Sequence, residues 1–131
     1  MRCAHMPYSF DYAVIRVVPL VEREEFFNVG VILFCPQRKF LDARIHLDRA
    51  KWNAFTPAAD TGDVERHLDA IRKICAGEPT AGPMAELPQR ARFHWLSAPR
   101  STLIQVSAVH SGICEDPQEA LDRLFANQVL V

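Results

Sequence analysis

Apolar and polar positions along this chain follow a two-residue period near the start and a three-to-four-residue period later. SFDYAVIRVV, Ser9 to Val18, is rich in β-branched and aromatic residues and predicts a strand. Pro19 interrupts it, and the charged group Glu22-Arg23-Glu24-Glu25 follows. FFNVGVILFC, Phe26 to Cys35, predicts a second strand. Strict alternation places Phe27, Val29, Val31, Leu33 and Cys35 on one wholly apolar face. Phe26, Asn28, Gly30, Ile32 and Phe34 fall on the other, which is covered in part. A strand apolar on both faces belongs in the interior of a sheet. Gly30 suits a bulge or a close backbone approach, and Asn28 needs hydrogen-bond partners wherever it is buried. Pro36 to Lys39 is a connection of hairpin length into FLDARIHL, Phe40 to Leu47. There Leu41, Ala43, Ile45 and Leu47 face inward, while Asp42, Arg44 and His46 face outward. The three strands read as an antiparallel meander.

The period then lengthens. Asp48 is a plausible N-cap for a short helix, RAKWNAF, which Pro57 stops. Asp60 or Thr61 opens a longer helix, with Val64, Leu68, Ile71 and Cys75 as its apolar stripe and Gly77 and Pro79 at its end. Glu78 to Pro88 is a link rich in Pro and Gly, too short to separate two domains. QRARFHWLS is ambiguous between a helical turn and an extended piece. STLIQVS, Ser101 to Ser107, predicts a fourth strand. Asp116, Pro117 and Glu119 then mark a helix N-terminus, with Ala120, Leu121, Leu124 and Phe125 on the buried side. The expected fold is α+β: an antiparallel sheet of about four strands, the N-terminal three-strand meander plus a later strand, with helices packed on one face. Residues 1–131 are expected to form a single domain.

Composition narrows the classes of function. A chain of 131 residues with 49% hydrophobic and 24% charged content is an ordinary folding sequence. Fifteen basic against sixteen acidic residues leave a formal charge of −1, a handicap for nucleic-acid binding, where affinity comes from neutralising phosphates. No apolar run reaches the length of a membrane span. MRCAHMPYSFDY lacks the apolar core and cleavage site of a signal peptide, so the expected compartment is the cytoplasm. Cys3, Cys35, Cys75 and Cys114 are far apart with no CxxC pair, and Cys35 and Cys75 read as buried thiols.

Candidate chemistry centres on PRSTLIQVSAVHSG, Pro99 to Gly112. Arg100 with the Ser101 and Thr102 hydroxyls and amides suits a phosphate or carboxylate. The competing role for Arg100 is an ion pair with the Glu22 to Glu25 group. Arg100 and His110 would lie roughly 30 Å apart along an extended strand, so no compact triad uses both. His110-Ser111-Gly112 looks like a turn with Gly112 at positive φ. His110 is a weak acid–base candidate, since no nucleophile and no GxSxG elbow accompany it. His110 and Cys114 are weak metal candidates, two ligands short of a usual site. Glu22, Glu24 and Glu25 read as a solvated turn rather than a Mg²⁺ site. Arg16 and Asn28 are polar outliers inside apolar strands. Were they to share one face with Arg100 and Gln105, the group would form a polar pocket on the sheet. Arg90, Arg92, Phe93, His94 and Trp95 make the one basic, aromatic stretch, read as a short helix with Phe93 and Leu96 in the core. Nucleotide-binding glycine motifs and HExxH are missing, and no cofactor is implied.

Two long strings carry a resemblance. YSFDYAVIRVVPLVEREEFFNVGVILF, Tyr8 to Phe34, resembles the opening of a small bacterial protein family catalogued as domain of unknown function 3037. RFHWLSAPRSTLIQVSAVHSG, Arg92 to Gly112, is similar to its other signature, and an Asp-Pro and a leucine-bearing terminal helix follow it. The likeness implies no activity, cofactor or catalytic residue. It does imply a partner, because members are often encoded beside a kinase-like protein of the HipA type. The leading expectation is a noncatalytic cytoplasmic protein-interaction module, with homo-oligomerisation through a free sheet edge an open alternative. The runner-up is a small enzyme or binding protein for a phosphorylated or anionic molecule. A nucleic-acid-binding accessory protein comes third.

Overall fold

The computed structural model describes residues 7–20, 23, 25–55, 61–98 and 103–130. Its elements run β1 (Tyr8–Leu20), β2 (Glu25–Cys35), β3 (Phe40–Ile45), α1 (Arg49–Phe55), α2 (Gly62–Ala76), α3 (Gln89–Leu96), β4 (Ile104–Val106), β5 (His110–Cys114) and α4 (Pro117–Gln128). Strand order is β3-β2-β1-β4, with β5 also pairing β1, and every pairing is antiparallel. The fold is therefore α+β with the expected meander, and β2 is interior, as its two apolar faces require. β1 runs two residues past Val18, and its register with β2 shifts where Pro19 sits. The meander's second turn is a 3₁₀ turn over Pro36–Arg38, closed by Lys39 at φ 52°.

There are five strands rather than about four, because a further short strand, β5, follows β4. β4 pairs Ile15 to Val17, and β5 pairs Tyr8 to Tyr12. Ser107 to Val109 lie between them opposite only Ala13 and Val14, one residue too many for a regular ladder. Ser107 bridges the gap: its N–H donates to the Val14 carbonyl at 2.9 Å, and its Oγ accepts from the Val14 N–H at 2.8 Å. A side-chain oxygen thus stands in for a missing ladder carbonyl. The expected turn at His110-Ser111-Gly112 is part of β5, and Gly112 does not have a positive φ. Its lack of a side chain serves a different purpose. A Cβ at Gly112 would stand 2.5 Å from Phe10 Cζ, so the ring of Phe10 lies directly over it.

A second irregularity decides which residues share a face. Ile15 pairs Gly30 but Arg16 pairs Asn28, leaving Val29 as an extra residue in β2. A one-residue insertion flips the parity of everything beyond it. Phe27 and Val29 consequently join Ile32 and Phe34 on one face, while Asn28 and Phe26 join the face of Val31, Leu33 and Cys35. Strict alternation had assigned them the other way. Gly30 is required beside the bulge, since a Cβ there would stand 2.7 Å from the Arg44 carbonyl oxygen.

Helices cover both faces of the sheet, rather than one. α1, α2 and α3 bury Trp52, Val64, Leu68, Ile74, Cys75, Phe93 and Leu96 against Ile15, Val17, Ile32 and Phe34. α4 buries Ala120, Leu121, Leu124 and Phe125 against Phe10, Val31, Leu33 and Cys35 on the opposite face. Each Leu, Ile or Phe so buried is worth about 1.5–3 kcal/mol relative to exposure. The surface ion pairs, such as Lys73–Asp69 at 3.1 Å, are worth about 0–1 kcal/mol each, so the two apolar layers hold the fold. The wet side of β3 is also partly covered: the Arg44 guanidinium lies 4.5 Å from the Phe125 ring and pairs Asp122 at 3.0 Å.

Helix ends follow the local signals. The Asp48 carboxylate accepts from the Ala50 and Lys51 amides, and that of Asp116 from the Gln118 amide. Gly77, at φ 74°, closes α2. Pro57 and Asp60 lie outside the described residues. The link Glu78 to Pro88 holds two 3₁₀ turns, Pro79–Ala81 and Pro83–Glu86. The ambiguous QRARFHWLS is helical as α3, with Phe93 and Leu96 in the core.

Candidate functional site

Three of the polar candidates meet on the α4 face of the sheet. Arg16 in the middle of β1 has Asn28 as its cross-strand neighbour on β2 and Gln105 on β4. Opposite residues in a sheet stand about 5 Å apart, so the three side chains form a row across it. The β2 bulge makes this possible, because without it Asn28 would face α1 to α3. Beside the row is a concavity of about 250 Å³ lined by Tyr12, Val14, Arg16, Phe26, Asn28, Ser107, His110 and Gln128.

Each polar group there has a definite setting. The Arg16 guanidinium carbon lies 4.3 Å from the centre of the Phe26 ring. Its Nε is buried and, among the described residues, has no hydrogen-bond partner. Asn28 Nδ2 donates to the Gln128 carbonyl at 3.0 Å, satisfying one of the carbonyls left over at the end of α4. That bond pins α4 to β2, so Asn28 has a structural task whatever else it does. The His110 ring packs 5.4 Å from that of Tyr12.

Among the described residues no nucleophile is assembled for His110. Ser107 Oγ accepts from Val14 and donates to the Ala108 carbonyl at 2.9 Å. Ser111 Oγ donates to the Asp11 carboxylate at 2.7 Å, on the opposite face of the sheet from His110. Among the described residues no three His, Cys, Asp or Glu side chains are grouped to hold a metal ion. His110 and Cys114 sit opposite Tyr12 and Tyr8, at the two ends of β5. Cys114 packs beside Cys35, and burial followed by that neighbouring thiol raises its pKa. Cys35, Cys75 and Cys114 are all buried and free. Burial, and next the Asp42 charge, pushes the Cys75 thiol up to about 12, so it is inert as a nucleophile.

Arg100, Ser101 and Thr102 lie outside the described residues, as do Glu22 and Glu24. Glu25 pairs with Arg23 at the exposed start of β2. The basic, aromatic stretch of α3 is engaged within the fold. Arg92 donates to the carbonyls of Ile74 and Cys75 at 2.7 and 2.8 Å and to that of Leu87 at 2.8 Å, closing the end of α2. Arg90 lies 5.2 Å from the Phe34 ring, and Phe93 is buried.

A second, more apolar concavity, about 440 Å³, opens between α2, α3 and β4. Val64, Ile71, Ile74 and Ile104 form its walls, Trp95 and Leu103 stand at its mouth, and Asp63 and His67 are its polar rim. Trp95 and Leu103 remain 41% and 40% exposed. Sequence reasoning did not single out this groove. A signal was present: helical spacing carries Trp95 off the Phe93–Leu96 stripe and leaves a large ring outside the core.

An antiparallel sheet with helices on both faces, a half-buried arginine on one and an apolar groove beside the other, defines a small α+β domain with concave surfaces and no assembled reaction centre among the described residues. The chain belongs to the domain of unknown function 3037 (DUF3037) family, described as proteins of unknown function, whose model matches residues 12–129. No curated protein and no solved structure matches it. Among the described residues no helix is long and apolar enough to cross a membrane.

Proposed function

We propose that this chain is a noncatalytic, cytoplasmic protein-interaction module whose partner docks on the groove between α2, α3 and β4. The observation that carries the reading is the exposure of Trp95 and Leu103 beside an apolar concavity of about 440 Å³. Large aromatic and aliphatic side chains flanking an apolar cleft are the anchors on which protein interfaces concentrate their binding energy. The groove's rim favours an apolar partner over a polyanion. Along α2, Arg66 pairs with Asp63, and Arg72 and Lys73 pair with Asp69, leaving little net charge to offer. The occupant we assign is an apolar segment of another folded protein, with a HipA-type kinase-like protein the first partner to try.

The experiment is affinity purification from the native cell with mass spectrometry, comparing the unaltered chain with Trp95→Ala and Leu103→Asp. Both positions are substantially exposed, so both variants are expected to keep the circular dichroism of the parent. The expected result is one stoichiometric partner that both variants lose. Recovery of nothing by the folded parent, or full retention by both variants, would overturn the reading.

A further inference from the structure

We infer that the concavity around Arg16 is a binding site for a small carboxylate carried on an apolar or aromatic body. The inference is independent of the protein partner, since it concerns the opposite face of the sheet.

Charge is the first argument. Among the described residues the lining of Tyr12, Val14, Arg16, Phe26, Asn28, Ser107, His110 and Gln128 holds a guanidinium and an imidazole, and no Asp or Glu. Most arginines among the described residues have a partner in an acid or a carbonyl, as Arg44 has Asp122 and Arg92 the end of α2. Arg38 and Arg90 have neither, but both are exposed, and water solvates them. Arg16 is half-buried, with its Nε removed from solvent and unbonded among the described residues. A desolvated donor on a charged group is costly, and a counter-charge held beside the guanidinium offsets that cost.

Geometry is the second. The guanidinium carbon stands 4.3 Å from the centre of the Phe26 ring, and with Nε shut off from solvent the donor edge offered to a ligand is that of the two terminal Nη groups. A planar carboxylate matches that edge with two parallel hydrogen bonds. One arginine, with no lysine and no helix N-terminus in the lining, suits a monoanion better than a phosphate dianion. The remaining surface specifies the body of the ligand. Rings of Tyr12, Phe26 and His110 and the Val14 side chain offer apolar and stacking contact. About 250 Å³ is smaller than the usual drug-sized site and fits a molecule of one ring.

The test is calorimetric titration of the full chain at low salt with benzoate, benzamide and inorganic phosphate. Benzoate is expected to saturate a single site, and benzamide, the same shape without the charge, to bind at least about tenfold more weakly, a difference of about 1.4 kcal/mol. Arg16→Gln should lose benzoate by the same factor or more, and Phe26→Ala should weaken it. Trp95→Ala, on the other face, should leave it unchanged. Absence of saturable benzoate binding, or equal binding of benzamide, overturns the proposal with the unaltered chain alone, even where Arg16→Gln fails to fold. Phosphate binding tighter than benzoate overturns the carboxylate assignment.

Discussion

Gly30→Ala tests the close approach of β3 to β2 beside the bulge. A Cβ at this position would stand 2.7 Å from the Arg44 carbonyl oxygen, 3.0 Å from Ile45 Cγ1 and 3.2 Å from Ile15 Cδ1. The nearest of these is backbone, so no rotamer change relieves it, and β2 and β3 must separate. Two effects of opposite sign compete. Replacing Gly by Ala inside a strand gains about 0.5–1 kcal/mol from chain entropy. Forcing an extra methyl into a packed interior costs about 1–3 kcal/mol. Packing wins because the clash is with main chain on one side and packed side chains on the other, and the middle of each range leaves a net loss of about 1 kcal/mol. For a domain of this size about 3–5 °C accompanies each kcal/mol, which is also the expected fall in melting temperature. Thermal unfolding followed by circular dichroism, with urea titration beside it, measures both. An unchanged or raised melting temperature would show that the close approach of β3 to Gly30 is not there.

Ser107→Ala removes the oxygen that accepts the Val14 N–H, leaving a buried donor unpaired at a cost of about 1–3 kcal/mol. Urea unfolding should show that loss, with Ser107→Thr close to the parent. Replacing Arg92 by Met withdraws three hydrogen bonds to carbonyls at the end of α2 and before α3, and is expected to cost about 1–3 kcal/mol in the same assay. For Cys75 the folded pKa of about 12 lies above the unfolded value of 9.0. Its contribution to stability is complete below pH 9 and declines as pH rises towards 12, because the unfolded chain ionises first. The urea midpoint of the parent should accordingly fall more between about pH 8 and pH 10.5 than that of Cys75→Ala, and equal slopes would refute the burial of this thiol.

Much of the fold was legible locally. Asp48 and Asp116 mark helix starts because a short carboxylate reaches the first free amides without help from the rest of the chain. The apolar stripe of α2 and the doubly apolar run of β2 are periodic in themselves, so the existence of these elements and the α+β class follow from the residues alone. Arg16 and Asn28 were also visible as polar outliers, and a shared face with Gln105 was a conditional reading. Whether they meet could not be read, because it depends on Val29 being an extra residue opposite β1. A strand's own sequence does not count the residues across from it, and one insertion turns every later side chain to the other face. The same holds for β5, where His110-Ser111-Gly112 reads as a turn by itself and is a strand only because β1 lies beside it. The side chosen by α4 is likewise settled by which apolar face of β2 the first three helices leave bare. Trp95 is exposed for a related reason: α3 buries Phe93 and Leu96, and only the placement of α2 and β4 around it turns the remaining ring into the mouth of a groove. Periodicity is a property of a segment and so can be read from it, whereas register, face and concavity arise between segments and exist only once they have packed.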